Sequence, residues 1–227
     1  IQIDKCIVGE PSSHKVVGDT IKVGRRGSLN GELTVTGSLG HVAYPELTRN
    51  PIHECLARLN GLCERVWDGG NDYFPPTGFQ ISNISAGTGA TNVIPDILKI
   101  TFNFRFNTEQ TKLKLIHETE IVFADLDPSL NVQFNWKLSG QPFLTKAGAF
   151  TSTVSEAIKK TVGIETKLST SGGTSDGRFI APSGTEIVEL GPVNSSIHKI
   201  NEHVRIDDIE KLTDIYFDIL VRTVLTY

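Results

Sequence analysis

Residues 96–107, DILKITFNFRFN, decide how the middle of this chain is read. Leu98, Ile100, Phe102, Phe104 and Phe106 take every second position, with Lys99, Thr101, Asn103 and Arg105 between them. A period of two puts the apolar set on one face of a strand and the polar set on the other. Working outward, residues 28–37 (SLNGELTVTG), 78–85 (GFQISNIS) and 131–138 (NVQFNWKL) read as strands too. Residues 51–67 place Ile52, Leu56, Leu59, Leu62, Cys63 and Val66 at helical spacing. Asn50 is a candidate N-cap and Pro51 suits the first turn. Residues 108–124 predict a second helix, with Thr108, Glu109 and Thr111 at its start. The resulting order over residues 27–138, β-α-β-β-α-β, is that of a ferredoxin-like sandwich.

The flanks follow another rhythm. Residues 1–10 read as a buried strand that Pro11 stops, and residues 20–23 as a second strand, followed by GRRG at 24–27 as a link. After residue 140 the pattern alternates: helix 145–162, strand 166–169, short helix 175–180, strand 186–190, helix 207–225. Alternating helices and strands predict an α/β domain with a mostly parallel sheet, and residues 1–10 are expected in that sheet. The ferredoxin-like unit is then an insertion whose chain crossings fall near Arg26 and Gly140.

At 227 residues the chain can hold one large domain or two small ones. A hydrophobic content of 38% and a charged content of 21% are those of a soluble globular protein. A net charge of −4 argues against nucleic acid as a partner held by bulk charge. No apolar run reaches the ~18 residues that a membrane span needs, so no membrane partner is expected, and no signal peptide is read at residues 1–10. Cys6, Cys55 and Cys63 are odd in number and lack CxxC spacing, which predicts reduced thiols in a cytoplasmic protein. Cys55 and Cys63 are expected as small buried side chains of one helix. The absence of methionine suggests a piece, or a processed product, of a longer protein.

Three polar segments stand out against this frame. Residues 191–204, GPVNSSIHKINEHV, put His198 in a loop after a strand, where an imidazole nitrogen is well placed to bind a metal. Residues 172–179, GGTSDGRF, form a glycine-rich loop whose paired glycines could free backbone N–H groups for an anion. In this loop Asp176 and Arg178 are read as a bracing pair. Residues 6–13, CIVGEPSS, put Glu10 at the exit of a strand.

Taken together, GEPSS, GRRGS, GHVAYP, YFPPTGFQISNISAGTGATNVIP, FNFRF, SGQPF, STSGGTSDGRF and SSIHKINE carry a resemblance that runs nearly end to end. The chain resembles the dinuclear-zinc deacylases and exopeptidases related to aminoacylase and carboxypeptidase G. GRRGS, GATNVIP and GGTSDGRF point within it to the bacterial branch that removes succinate from N-succinyl-LL-2,6-diaminopimelate. The resemblance implies an α/β zinc-exopeptidase-like catalytic domain, incomplete here, from residues 1–26 and 140–227. It also implies an inserted ferredoxin-like dimerisation domain from residues 27–139. It implies two zinc ions per subunit, replaceable by cobalt, a homodimer, and a cytoplasmic place in lysine and diaminopimelate biosynthesis.

Residue by residue, the resemblance makes Glu10 a carboxylate ligand of one zinc and His198 the imidazole ligand of the other. It makes His41 a donor to the developing oxyanion, reaching across a dimer into the partner's site. Arg25, Ser28, Tyr44, Asn92, Arg105, Gly173 and Thr174 match substrate-binding positions, fitting a substrate rich in carboxylates. The family's His-x-Asp motif, bridging Asp and Glu-Glu pair precede the GEP segment, and no such motifs occur here. The chain is therefore expected to be a C-terminal portion, inactive by itself. The competing readings are another deacylase or dipeptidase of the family, and a non-catalytic dimerisation and binding module.

Overall fold

The computed structural model describes residues 3–224. Residues 1 and 2 of the expected first strand, and residue 225 of the expected last helix, lie outside the described residues. The chain divides into two compact units, Ile1–Arg26 with Pro142–Tyr227 and Gly27–Gln141.

The first unit opens with β1 (Lys5–Val8), β2 (Thr20–Lys22) and β3 (Gly24–Arg25). The second follows with β4 (Gly27–Thr36), β5 (Gly40–His41), α1 (Pro51–Glu64), β6 (Gly78–Ala86), β7 (Val93–Ile94), β8 (Ile97–Phe106), α2 (Lys112–Glu120) and β9 (Asn131–Gly140). The chain then returns to the first unit through β10 (Phe143–Leu144), α3 (Ala149–Val162), β11 (Lys167–Ser169), α4 (Gly177–Ile180), β12 (Glu186–Glu189) and α5 (Ile206–Val224).

In the second unit the sheet order is β6-β8-β4-β9, antiparallel throughout. Central β4 pairs Leu29, Gly31, Leu33 and Val35 with Phe104, Phe102, Ile100 and Leu98 of β8. The alternation of residues 96–107 is realised: Leu98, Ile100, Phe102, Phe104 and Phe106 are buried and Lys99 and Arg105 exposed. Phe79, Phe102, Phe104, Trp67 and Trp136 interlock, mostly at tilted or edge-on angles, with Trp67 and Phe104 centroids 4.7 Å apart. Such geometry places the positive edge of one ring on the negative face of the next.

The expected helices form with altered extents: α1 stops at Glu64 rather than 67, and α3 starts at Ala149 rather than 145. Asn50 Oδ1 accepts from Ile52 N at 3.0 Å, so the predicted cap is made. The buried face of α1 is Cys55, Leu59 and Leu62, with Ile52 partly covered, whereas Leu56, Cys63 and Val66 are exposed. Positions i, i+4 and i+7 from Cys55 share one stripe, and Leu56 is rotated about 100° away from it. The expectation that Cys63 is buried is thus overturned. Helix α2 starts at Lys112 rather than near 108, because Asn107 Oδ1 takes Glu109 N at 2.8 Å and Thr111 becomes the cap.

In the first unit the sheet order is β1-β12-β2-β11, with β1–β12 and β11–β2 parallel and β12–β2 antiparallel. GRRG is not a bare link, because Gly24 and Arg25 form β3 and pair with β10. Helices α3 and α5 cover the sheet through Phe150, Val154, Ala157, Ile158, Leu212, Ile215 and Ile219, packed on Ile21, Val23, Val188 and Leu190. Gly163, in the left-handed region at φ 74°, caps the end of α3, where glycine avoids the Cβ penalty.

Candidate functional site

Glu10 and the loop carrying His198 leave the carboxyl ends of two neighbouring parallel strands, β1 and β12. This is where open α/β sheets gather their ligand-binding loops. The exits are stitched together. Ser13 Oγ donates to Gly191 O at 2.8 Å, Gly191 N to Ser12 Oγ at 3.2 Å and Asn194 N to Ser13 O at 2.9 Å. A Cβ on Gly191 would lie 2.2 Å from Glu10 O, so only glycine lets the two segments approach this closely. Asp19 closes the next turn, taking N–H groups of His14, Lys15 and Val16 at 2.8, 2.7 and 3.1 Å. Burial acts to raise the Asp19 pKa, but these three donors outweigh it and hold the carboxyl below its ordinary value.

Beyond Gly191 the loop folds into a small ring. Ser196 Oγ donates to His203 O at 2.8 Å and accepts from His203 N at 3.1 Å. His198 and Asn201 take φ values of 58° and 63°. Left-handed backbone at a histidine is uncommon and is held here by the ring around it. His198 is exposed and Glu10 half-buried.

The glycine-rich loop of residues 170–176 rests on buried charges. Glu189, fully buried at the end of β12, accepts from Arg25 Nε at 2.8 Å and also from Arg25 Nη2. Its other oxygen accepts from Ser175 Oγ. Arg25 Nη1 donates to Ser171 O at 2.9 Å, and Lys22 Nζ to Ser171 Oγ at 2.9 Å and Ser169 Oγ at 3.3 Å. Burial, reinforced by the Arg25 charge, lowers the Lys22 pKa. Gly173 is exposed and Thr174 half-buried above this cluster. Arg25 is therefore bound within the protein on three of its donors, not presented as an open fork. The expected Asp176–Arg178 brace is replaced: Arg178 stacks on Phe179 at 4.5 Å and reaches Thr174 Oγ1 at 3.5 Å.

In the second unit the remaining expected residues fall into two groups. His41, Tyr44 and Asn92 gather at the β5–β7 ribbon, where His41 pairs with Val93 and Val42 N donates to Asn92 O at 3.1 Å. The His41 and Tyr44 rings are 5.8 Å apart, and both are exposed. His41 Nδ1 accepts from Ala43 N at 3.1 Å, which in a neutral ring leaves the proton on Nε2 as an available donor. Ser28 and exposed Arg105 face each other at the opposite end of β4 and β8. Ser28 is buried and accepts from Asn103 Nδ2 at 3.0 Å. From Ser28 to Thr36, where β4 turns toward His41, eight residues at ~3.4 Å each span about 27 Å.

Glu10 and His198 offer a carboxylate and an imidazole, both apt for zinc. Among the described residues, no group of three or more His, Cys, Asp or Glu side chains is clustered to hold a metal. These two are thus at most part of a donor set, since a zinc site usually takes three or four protein ligands. Sequence reasoning missed Glu189 and Lys22. The signal was present in Glu186–Glu189 and Leu190: a charge inside the fully buried run Ile187, Val188, Glu189, Leu190 requires an opposite charge nearby.

Comparison with known proteins adds what the chain is similar to. Residues 23–130 match the family model M20_dimer, the peptidase dimerisation domain. The chain is 58% identical over 222 residues to the succinyl-diaminopimelate desuccinylase of Alkalilimnicola ehrlichii, covering 97% of this chain and 58% of that protein. It is 57% identical, with the same coverage, to the succinyl-diaminopimelate desuccinylase 2 of Alteromonas mediterranea. The chain thus spans less than two thirds of the length of these curated relatives. In fold it is similar to a tripeptidase from Staphylococcus aureus, at a TM-score of 0.75 and 19% identity over 96% of this chain and 57% of that one. It is likewise similar to an M20 family metallo-carboxypeptidase from Sulfolobus solfataricus, at a TM-score of 0.69 and 16% identity over 95% of this chain and 61% of that one. Residues 23–130 thus match the peptidase dimerisation domain, and nearly the whole chain is similar to the succinyl-diaminopimelate desuccinylases.

Proposed function

We propose that this chain is a portion of a metal-dependent hydrolase that cleaves N-succinyl-LL-2,6-diaminopimelate to succinate and LL-diaminopimelate. The observation that carries the reading is the 58% identity over 222 residues to a succinyl-diaminopimelate desuccinylase. The first unit contributes Glu10 and His198 to a centre of two zinc ions, replaceable by cobalt, and presents Gly173 and Thr174 to the substrate. Bound zinc supplies Lewis acidity toward the amide carbonyl. The second unit forms a homodimer, and Ser28 and Arg105 at one end of its sheet bind substrate carboxylate. His41, with Tyr44 and Asn92, serves the site of a second copy. The ~27 Å between the two ends of β4 supports this division, because one substrate cannot touch both ends of the same sheet. The Nε2 proton of His41 then meets the developing oxyanion, where one preorganised donor is worth about 3 kcal/mol. The enzyme works in the cytoplasm, in lysine and diaminopimelate biosynthesis.

The test is a substrate panel on the full-length protein that contains these residues, with zinc and with a chelator. N-succinyl-LL-2,6-diaminopimelate should be cleaved far faster than dipeptides or other N-acyl amino acids, and chelation should stop it. Faster cleavage of dipeptides would replace this reading with that of a peptidase of the same fold.

For the 227 residues alone, the lack of a cluster of three or more metal donors among the described residues favours a second reading, a dimerising module without activity. Two donors should hold zinc weakly, and tight stoichiometric zinc in the purified chain would contradict this.

A further inference from the structure

The wiring of the buried cluster under the glycine-rich loop is specific. Glu189 is fully buried, and both its oxygens are used: one by Arg25 Nε and Nη2, the other by Ser175 Oγ. Arg25 Nη1 in turn holds Ser171 O at 2.9 Å. One carboxylate thereby fixes residues 171 and 175, the two sides of the loop that carries Gly173 and Thr174. The fit is close: Gly172 sits at φ 104°, and a Cβ there would lie 2.4 Å from Arg25 Nη1. Lys22, the Cα partner of Glu189 across β2 and β12, adds a second tie to Ser171 Oγ at 2.9 Å.

The charges do not cancel. Arg25 and Lys22 bring two cations and Glu189 one anion, which leaves a net positive charge beneath exposed Gly172 and Gly173. A buried cation is screened less than an exposed one, so the loop above it favours an anion. Without Glu189, Arg25 would be an unpaired buried charge, free to swing toward the anion or to water, and the loop would lose both anchors.

We propose that Glu189 is a positioning residue for substrate binding: through Arg25 and Ser175 it holds residues 171–175 in the one shape that receives a substrate carboxylate. It touches no reacting atom. The proposal rests on the desuccinylase reading for its substrate, and the loop-holding part stands on the geometry alone.

The experiment uses the full-length protein, with Glu189→Gln, Ser175→Ala and Gly172→Ala beside the wild type. Steady-state kinetics on N-succinyl-LL-2,6-diaminopimelate are read together with hydrogen exchange of the amides of residues 171–176. A group that organises binding without acting on the transition state shows itself in KM rather than kcat. We expect KM to rise at least tenfold in Glu189→Gln and about threefold in Ser175→Ala, with kcat within about twofold, zinc content unchanged and faster exchange confined to the loop. If Glu189→Gln does not fold, Ser175→Ala and Gly172→Ala decide on the same readouts. Folded variants with KM and loop exchange like the wild type overturn the proposal, as does a fall in kcat alone. A wild type inactive on this substrate refutes the desuccinylase reading instead, and hydrogen exchange still decides the loop.

Discussion

Gly31 offers a test in which two general expectations give opposite signs. Replacing glycine by alanine normally stabilises a chain by about 0.4–1 kcal/mol, because the unfolded state loses freedom. At Gly31, in the centre of β4, the new methyl would lie 2.3 Å from Phe102 Cζ, 2.4 Å from Phe102 Cε2 and 2.8 Å from Trp136 Cζ3. Phe102 and Trp136 are the cross-strand partners of Gly31 on either side, and their rings meet edge-on at 5.3 Å over the glycine. Phe102 also touches Phe79 and Phe104, so its ring has little room to retreat. Overpacking a filled core costs about 1–3 kcal/mol. Set against the entropic gain, Gly31→Ala should destabilise the second unit by about 1–2 kcal/mol. Gly61 is the control: it lies on the exposed side of helix α1, where an added methyl would meet nothing within 4 Å, and Gly61→Ala should stabilise by about 0.5–1 kcal/mol. The chain's 2 tryptophans, Trp67 and Trp136, both belong to this unit, so tryptophan fluorescence in urea reports it directly. At an m-value of about 2 kcal/mol/M the midpoints should move by roughly 0.5–1 M down for Gly31→Ala and by a smaller step up for Gly61→Ala. Equal shifts of the same sign would refute the argument that the rings occupy the place of the missing side chain.

Other consequences follow from single groups. Burial pushes the Cys55 thiol up to about 11, so a maleimide at neutral pH should modify Cys55 only after unfolding, as read by peptide mass. Asp19, whose carboxyl is held below its ordinary 3.8 by three N–H donors, contributes stability that is complete above that value. Thermal melts of the wild type and Asp19→Asn should therefore differ at neutral pH and converge as pH falls below about 3.8; a difference that grows on acidification would contradict this. Gly191→Ala, with its methyl 2.2 Å from Glu10 O, should push the Glu10 and His198 segments apart and lower zinc occupancy of the full-length protein, measured by metal analysis. Asn50→Ala removes the cap bond to Ile52 N and should cost about 1 kcal/mol in urea unfolding.

The ferredoxin-like unit was legible because its strands have one dry face: alternation in residues 96–107 forces Phe102, Phe104 and Phe106 to one side, and no other arrangement buries them. Cys63 was misread as buried because a wide apolar stripe does not say which edge is covered, and Leu56 and Cys63 on the exposed side of α1 are apolar like Leu59. Glu10 and His198 were singled out through the motifs around them, and the parallel pairing of β1 with β12 makes the segments that carry them leave the same edge of the sheet. The separation of His41 from Ser28 was not legible. It comes from the length of β4, and a motif does not carry distance. Arg25, expected at the substrate, is paired with Glu189, which lies 164 positions away, and a buried ion pair of that span leaves no local pattern.

The most direct test of the account is subunit mixing in the full-length enzyme. His41→Ala and His198→Ala homodimers should each be nearly inactive on N-succinyl-LL-2,6-diaminopimelate. In a mixed dimer, one site combines an intact His198 with an intact His41 from the other copy. An equal mixture after subunit exchange should recover about a quarter of wild-type activity, since half the dimers are mixed and each has one working site. Recovery to that level supports the division of the site between two copies. Activity that stays at the level of the separate variants, in dimers shown to have exchanged, would place His41 and His198 in the same chain's site and contradict the account.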